Sequence, residues 1–293
     1  MAKKSWIYGK NVLITGVSSG IGFYLSKFLC LEHGCNVVGI SRNEERLKKA
    51  KEDIDLDIEK IKKDGKNSLG TFDYLVNDVS SISAWQNIKT ALDGKGFKVD
   101  VLINNAGIFL PFEKFENQSL EMAKRVMETN FFAHLYSYKT FIQDIEERKG
   151  AIINIASSSA LCPVVGTAVY SASKAACKNF TESLIAEHRG QLYIAYVCPG
   201  YTLTNLFREE EEMSKLVQRF SMQANKMAKK IIKRLVKKRK RIVIGLDAHL
   251  MSGLYRISPK FASWTVSAVL KGSHDAMFSK VFIENTKKGE DKK

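Results

Sequence analysis

The sequence predicts an α/β fold: one doubly wound parallel sheet of seven strands with helices on both faces, plus a C-terminal helical extension. Three observations carry this expectation. Apolar runs of strand length alternate with longer segments of helical period. A glycine-rich stretch joins the first strand to the first helix. No internal repeat, low-complexity tract or Pro/Gly-rich linker divides the 293 residues into two folding units.

Strands are expected at Asn11 to Thr15, Asn36 to Ile40, Phe72 to Asn77, Val99 to Asn104, Ala151 to Ile155, Leu192 to Val197 and Arg241 to Ile244, with six helical stretches between them. The helix after the second strand should run from about Asn43 to Lys63, with a capping box at Ser41 and Glu44 and a charge pattern suited to solvent. Val126 to Leu135 reads as buried helix interrupted by one amide, Asn130. Lys226 to Arg241 holds ten basic residues and no acid, with Met227, Ala228, Ile231, Ile232, Leu235 and Val236 at helical spacing, so one side should pack on the sheet and the other stay cationic. Residues 1–245 are therefore expected to form a single domain. Residues 246–293 form an extension packing on it, apolar over Leu246 to Leu254 and Phe261 to Leu270 and frayed at its charged end.

Composition bounds the function. With 45% hydrophobic residues the chain can bury one large core, and its +15 formal charge makes phosphorylated cofactors, acidic lipid headgroups or nucleic acid worth weighing without choosing among them. Nucleic acid is disfavoured, because no aromatic residues interleave the basic run to stack bases. Five cysteines without C-x-x-C spacing suit buried thiols in a reducing compartment. The N-terminal lysines precede no apolar run of secretory length, and no stretch is apolar enough to span a bilayer. A cytoplasmic protein is expected, with peripheral membrane contact through the basic helix as an extension of that reading.

Thr15 to Gly22 follows the first strand and opens a helix, in the spacing G-x-x-x-G-x-G. Glycines there allow a sharp turn and close approach of a diphosphate, and amides at the helix N-terminus face the anion. At the end of the second strand no carboxylate waits for an adenosine ribose; Ser41 and Arg42 stand there instead, and Arg42 suits a 2′-phosphate. NADP(H) is therefore favoured over NAD(H), unless Glu44 or Glu45 takes the ribose. Tyr170 and Lys174, four residues apart, share one face of a helix, so an ammonium sits beside a phenol and can lower its pKa. Without the glycine turn upstream, the pair would read as a solvated helix face.

Together these motifs resemble the short-chain dehydrogenase/reductase family, whose dinucleotide fold is of the Rossmann type. The turn Thr15 to Gly22, the acidic pair Asp78-Val79, the run Asn104-Asn105-Ala106-Gly107, Asn130, Ser157 placed 13 residues before Tyr170, and Pro199-Gly200 with Thr204 occur in the family's order over about residues 10 to 244. The resemblance implies cofactor contacts from Gly16, Ser18, Ser19, Gly20, Ile21, Gly22, Ser41, Arg42, Asp78, Val79, Asn104, Ala106, Gly107, Tyr170, Lys174, Pro199, Gly200, Thr202 and Thr204. It implies a catalytic set of Asn130, Ser157, Tyr170 and Lys174. Tyr170 would exchange the proton, with its pKa brought toward neutrality by Lys174 and the oxidised nicotinamide; Ser157 would polarise the substrate oxygen. Lys174 would hold the ribose, and Asn130 would hold a water relaying protons to Lys174. No metal is implied.

The implied activity is interconversion of a ketone or aldehyde and an alcohol. A lid is expected at about 204 to 225, with Leu206, Phe207, Met213, Leu216, Phe220 and Met222 turned inward; with Phe109, Leu110 and Phe112 it suggests an apolar substrate. A membrane-surface lipid 3-keto reductase and a non-catalytic dinucleotide-sensing module are the alternatives. A homodimer or homotetramer is expected by resemblance, through the helices carrying Asn130 and Tyr170.

Overall fold

The structure is a computed structural model that describes residues 5–65, 68–204 and 221–282. Its centre is an all-parallel sheet of β1 (Asn11–Thr15), β2 (Asn36–Ser41), β3 (Phe72–Val76), β4 (Val101–Asn104), β5 (Ala151–Ile155), β6 (Tyr193–Pro199) and β7 (Arg241–Ile244). The spatial order is β3-β2-β1-β4-β5-β6-β7. The seven strands thus lie where the apolar runs put them, with ends shifted by up to two residues.

Strand side chains alternate between two buried faces. Val12 and Ile14 pack into one core with Leu25 and Leu29 of α1 (Gly20–His33), Leu47 and Ile54 of α2 (Glu44–Lys63), and a third helix described below. Leu13 points the other way, toward Trp85 and Ile88 of α3 (Ile82–Gly94) and a pair of helices after β4 and β5. Every residue of β5 and β6 is buried, as a strand covered on both faces requires. All five cysteines are free and buried.

The expected capping box does not form. Ser41 is still paired with Val76 in the sheet, and its hydroxyl donates to Ser18 Oγ at 3.0 Å. Asn43 caps α2 instead, its Oδ1 accepting from Arg46 N at 2.8 Å.

After β4, α4 (Leu120–Met127) passes through a π-helical turn, Glu128–Phe132, into α5 (Ala133–Glu147). α6 (Ala168–Glu187) follows β5, and α7 (Ala224–Val236) precedes β7. Met227, Ala228, Ile231, Ile232 and Leu235 of α7 are buried against the α1 side of the sheet, while Lys226, Lys229, Lys230, Lys233 and Arg234 face solvent. The amphipathic reading of this run therefore describes α7. Of the expected lid, residues 205–220 lie outside the described residues. Met222 and Gln223 pair as a short parallel bridge with Thr202 and Leu203, and Ala224 already begins α7, so 222–225 belong to the sheet side of the fold.

Beyond Gly245 the chain forms α8 (Leu246–Ile257) and α9 (Pro259–Gly272). Ser258 caps α9 by accepting from Phe261 N, with Pro259 at the first helical position. Phe278 and Val281 then join Phe112 in a third, smaller core packed by Phe109, Val164 and Leu270. The extension sits at the C-terminal edge of the sheet. The basic run ends at the opposite edge, where Trp6 Nε1 donates to Leu235 O at 2.9 Å and Tyr193, the first residue of β6, donates to Arg239 O at 2.8 Å. The apolar extension does not lie beside the densest basic cluster, because α7 runs antiparallel to the strands it connects. Among the described residues no helix is long and apolar enough to cross a membrane.

Candidate active site

A cleft of about 850 Å³ opens at the C-terminal ends of the strands. It lies where β1 and β4 leave in opposite directions, the point at which a doubly wound sheet leaves a crevice. Gly16, Ser18, Ser19, Gly20 and Ile21 line one end. The Ser19 side chain makes no capping bond to α1, so the first-turn amides are left to face the cleft. Gly16 has φ +73°, and a Cβ on it would stand 2.8 Å from Ala106 Cα. Gly22 does not line the cleft; a Cβ there would strike the Gly16 carbonyl and come within 2.5 Å of Asn105 Nδ2. Its role is packing, one layer behind the surface.

Asn105 holds the two turns together. Its Nδ2 donates to Thr15 O and Gly16 O, both at 3.0 Å, while the Asn105 and Ala106 amides donate to Thr15 Oγ1 at 3.0 and 2.9 Å. Asn104 departs from expectation: it is buried, donates to Asn154 Oδ1 at 2.9 Å and does not line the cleft. Side chains alternate along a strand, so of two adjacent asparagines only one can face the turn. Ala106 and Gly107 line the cleft, and a Cβ on Gly107 would come 3.3 Å from both Asn130 Oδ1 and Lys174 Nζ.

At the β2 end the cleft is lined by Ser41, Arg42, Asp78 and Val79. Arg42 lies 3.7 Å from the Asp78 carboxylate, which also accepts from Ser80 N at 3.0 Å. Arg46, one turn into α2, lines the same end, whereas Glu44 and Glu45 do not; Glu44 pairs with Lys48 at 3.0 Å. Arg46 was legible in principle, since it is four residues from Arg42 at a helix start.

Ser157, Tyr170 and Lys174 meet at the other end of the cleft. The Ser157 hydroxyl faces the Tyr170 phenol closely enough to oppose the rise in its pKa, and accepts from Ser159 N at 3.2 Å, closing a 3₁₀ turn. Lys174 is buried, donates to Ile155 O at 3.0 Å and holds its Nζ 5.9 Å from the Tyr170 ring centroid. Burial lowers its pKa. The same burial pushes the Tyr170 phenol up to about 12, with Ser157 opposing. Among the protein's own groups the lowering expected from Lys174 therefore does not prevail; desolvation wins.

Asn130 does not line the cleft. It is fully buried in the π-turn, where its Oδ1 accepts from Ile108 N at 2.8 Å and its Nδ2 donates to Ile108 O at 2.9 Å and Ser173 Oγ at 3.1 Å. Its bonds fix the loop after β4.

Pro199, Gly200, Thr202 and Thr204 line the cleft after β6. This loop is tied to the extension: Tyr201 N donates to Asp247 Oδ2 at 2.6 Å, and the Asp247 carboxylate fills the space a Cβ on Gly200 would need. The apolar end joins Phe109, Leu110 and Phe112 to Met251, Leu270 and Phe278 of the extension. An aromatic series runs outward from the phenol, with centroids 4.8 Å apart for Tyr170 and Phe109, 5.1 Å for Phe109 and Phe112, and 4.7 Å for Phe112 and Phe278. The contribution of 246–282 was not read from sequence. Its apolar patches were visible, but nothing local says which distant surface they meet. Among the described residues no cluster could hold a metal ion.

The sequence matches the family described as short chain dehydrogenase over residues 10–215. It is 31% identical over 204 residues to 11-beta-hydroxysteroid dehydrogenase-like 2 of Arabidopsis thaliana, covering 68% of this chain and 61% of that protein, less than two thirds of the relative's length. It is 28% identical over 255 residues to 3-ketodihydrosphingosine reductase of Bos taurus, covering 84% of this chain and 74% of that protein. Among solved structures, a short chain dehydrogenase from Burkholderia cenocepacia in complex with NADP shares the fold with a TM-score of 0.71 at 21% identity, over 89% of this chain and 98% of that one. A short chain dehydrogenase/reductase from Burkholderia phymatum in complex with NAD does so with a TM-score of 0.71 at 20% identity, over 90% and 96%.

Proposed function

The chain belongs to the short chain dehydrogenase family, and from that premise we propose that it is an NADP(H)-dependent oxidoreductase interconverting a ketone or aldehyde and an alcohol. The observation that carries the reading is the meeting of Ser157, Tyr170 and Lys174 at one end of a cleft whose other end is a glycine turn and a helix N-terminus. The residues present suit a dinucleotide. Gly16 and Gly107 leave backbone surface that any Cβ would fill, the α1 amides are open to a diphosphate, and Arg42 with Arg46 offers two guanidinium groups for a 2′-phosphate. Related structures bind NADP or NAD, so the two arginines carry the preference.

When bound, the nicotinamide supplies or accepts the hydride. In reduction the Tyr170 phenol gives its proton to the substrate oxygen, and a phenol pushed up to about 12 is fully protonated for that step at neutral pH. Ser157, beside that phenol at the same end of the cleft, directs its own hydroxyl at the same oxygen and stabilises the developing negative charge. Lys174, anchored on Ile155 O with its Nζ 5.9 Å from the phenol ring centroid, would hold a ribose hydroxyl of the bound dinucleotide. Asn130 keeps the Ile108 loop, and so the floor beneath Gly107, in register.

A second reading, a lipid 3-keto reductase, is favoured by the apolar end of the cleft, where Phe109, Phe112, Met251, Leu270 and Phe278 converge. The bovine relative is named for such a reaction. Assembly as a homodimer or homotetramer through the outer faces of α5 and α6 belongs to the same proposal.

The test is a panel of short and long-chain ketones and alcohols followed at the nicotinamide absorbance with NADPH and NADH. Turnover with NADPH is expected, and Arg42→Ala should raise the KM for NADPH by about tenfold while leaving NADH nearly unchanged. A wild-type preference for NADH of about tenfold or more would overturn the cofactor assignment.

A further inference from the structure

The two helices that wall the apolar end of the cleft also carry the most apolar exposed surface of the described chain. Met251, Val266 and Leu270 face the cleft. On the outside of the same helices, Leu246 is 65% exposed, Ile257 84% and Trp264 66%, with Leu250, Phe261 and Val269 exposed beside them. Phe261 and Trp264 stack at 6.1 Å, one turn apart on α9. Scattered exposed leucines need no explanation; six large apolar side chains on two adjacent helices do.

Charge says what covers them. Residues 246–282 contain two acids, Asp247 and Asp275. Both are turned into the protein, Asp247 onto Tyr201 N and Asp275 buried. The cations of this segment, Arg256, Lys260, Lys271 and Lys280, are all exposed. The outer surface is therefore apolar and cationic with no carboxylate among its own residues. That is the chemistry of an anionic lipid surface, with aromatic side chains at the headgroup level and basic ones on phosphates. A second copy of this chain, itself strongly basic, would set cation against cation.

We propose that the α8–α9 hairpin docks on an anionic bilayer, seating Ile257, Phe261 and Trp264 in the interface and bringing the apolar mouth of the cleft against the membrane. This deepens the proposed function by naming how an apolar carbonyl substrate reaches Tyr170, and the docking itself stands on the surface alone. It differs from docking through α7, whose basic end lies at the opposite edge of the sheet.

The full chain is tested by co-sedimentation with vesicles of phosphatidylcholine alone and of phosphatidylcholine mixed equally with phosphatidylserine. Binding to the mixed vesicles at low salt is expected, weakening as salt rises. Phe261→Ala with Trp264→Ala should reduce it by about tenfold or more. Both residues are exposed, so the thermal melt should not move. Undiminished binding by the double variant would assign the contact to α7 and overturn the proposal, as would failure of the wild type to bind. So would a wild-type dimer that the double variant converts to monomer without vesicles. NADPH turnover of a water-soluble ketone without lipid separates the two claims: its presence keeps the proposed reaction whatever the vesicles show.

Discussion

The turn after β1 and the hairpin after β7 bound the same cleft and are built in opposite ways. At the turn the backbone is tightly packed: Gly16 abuts Ala106, Gly22 abuts Gly16, and Asn105 ties both strand ends together. In the hairpin a Cβ on Gly253 or Gly272 would meet nothing within 4 Å, and six large apolar side chains are exposed. Among the described contacts its attachment includes the Asp247 carboxylate on Tyr201 N and a seam built round Phe112 and Phe278. The difference teaches where this scaffold can vary. The turn end of the cleft is fixed by close backbone packing and the Asn105 side chain, whereas its apolar wall is added by side chains of the extension and can change without disturbing the turn.

The sharpest division of labour should appear at Tyr170, which lines the cleft that both regions bound. Tyr170→Phe keeps the edge-to-face contact with Phe109 but removes the proton, so kcat is expected to fall by ~10² to 10⁴ with dinucleotide affinity nearly unchanged. Stopped-flow turnover and a dinucleotide titration on the same protein check this. A large loss of affinity would mean the phenol serves binding instead. Next in size is Gly22→Ala. The added methyl strikes the Gly16 carbonyl, which cannot move without breaking its bond from Asn105, and a loss of about 1–3 kcal/mol is expected in urea unfolding.

This contrast also explains what the sequence could tell. The seven strands, the turn and the Ser157, Tyr170 and Lys174 set were legible because each is specified by local periodicity or fixed spacing. Asn104 was misassigned to the cleft because the strand's alternation, which turns it to Asn154 and leaves Asn105 facing Thr15, depends on where β4 ends. The capping box failed for a similar reason: Ser41 is claimed by the sheet before it can cap α2. In the protein's own surroundings burial raises the Tyr170 phenol, which spacing could not show, because it gives a cation four residues away but not the depth of burial around both groups. Met251, Val266, Leu270 and Phe278 were not legible at all as cleft residues, since their partners lie more than a hundred residues upstream.

Burial on the catalytic side has a pH consequence opposite in sign to that in the hairpin, where burial raises the Asp247 carboxyl. His134, on α5, is buried with its Nδ1 3.2 Å from Cys177 Sγ, and desolvation, reinforced by Lys174, lowers its pKa to about 3. A base with a folded pKa below its unfolded value binds fewer protons when folded. Stability is therefore complete above about pH 6.5 and is lost, by about 1.4 kcal/mol per unit, as pH falls from there toward about 3. Urea unfolding of the wild type and His134→Gln at neutral pH and one unit below 6.5 should show the smaller slope in the variant. Equal slopes would place the acid sensitivity elsewhere.

The smallest effect reverses the sign of the Gly22 result with the same substitution. Gly253 lies inside α8, exposed, with no neighbour to meet a methyl group. Glycine in a helix interior loses more backbone freedom on folding than alanine, by about 0.8–1.0 kcal/mol. Gly253→Ala should therefore raise the melting temperature by about 2 °C. Turnover of a soluble ketone should not change, since the residue does not line the cleft. A lower melting temperature would mean that this face of α8 is covered in solution, and the open, side-chain-built character assigned to the hairpin would no longer hold.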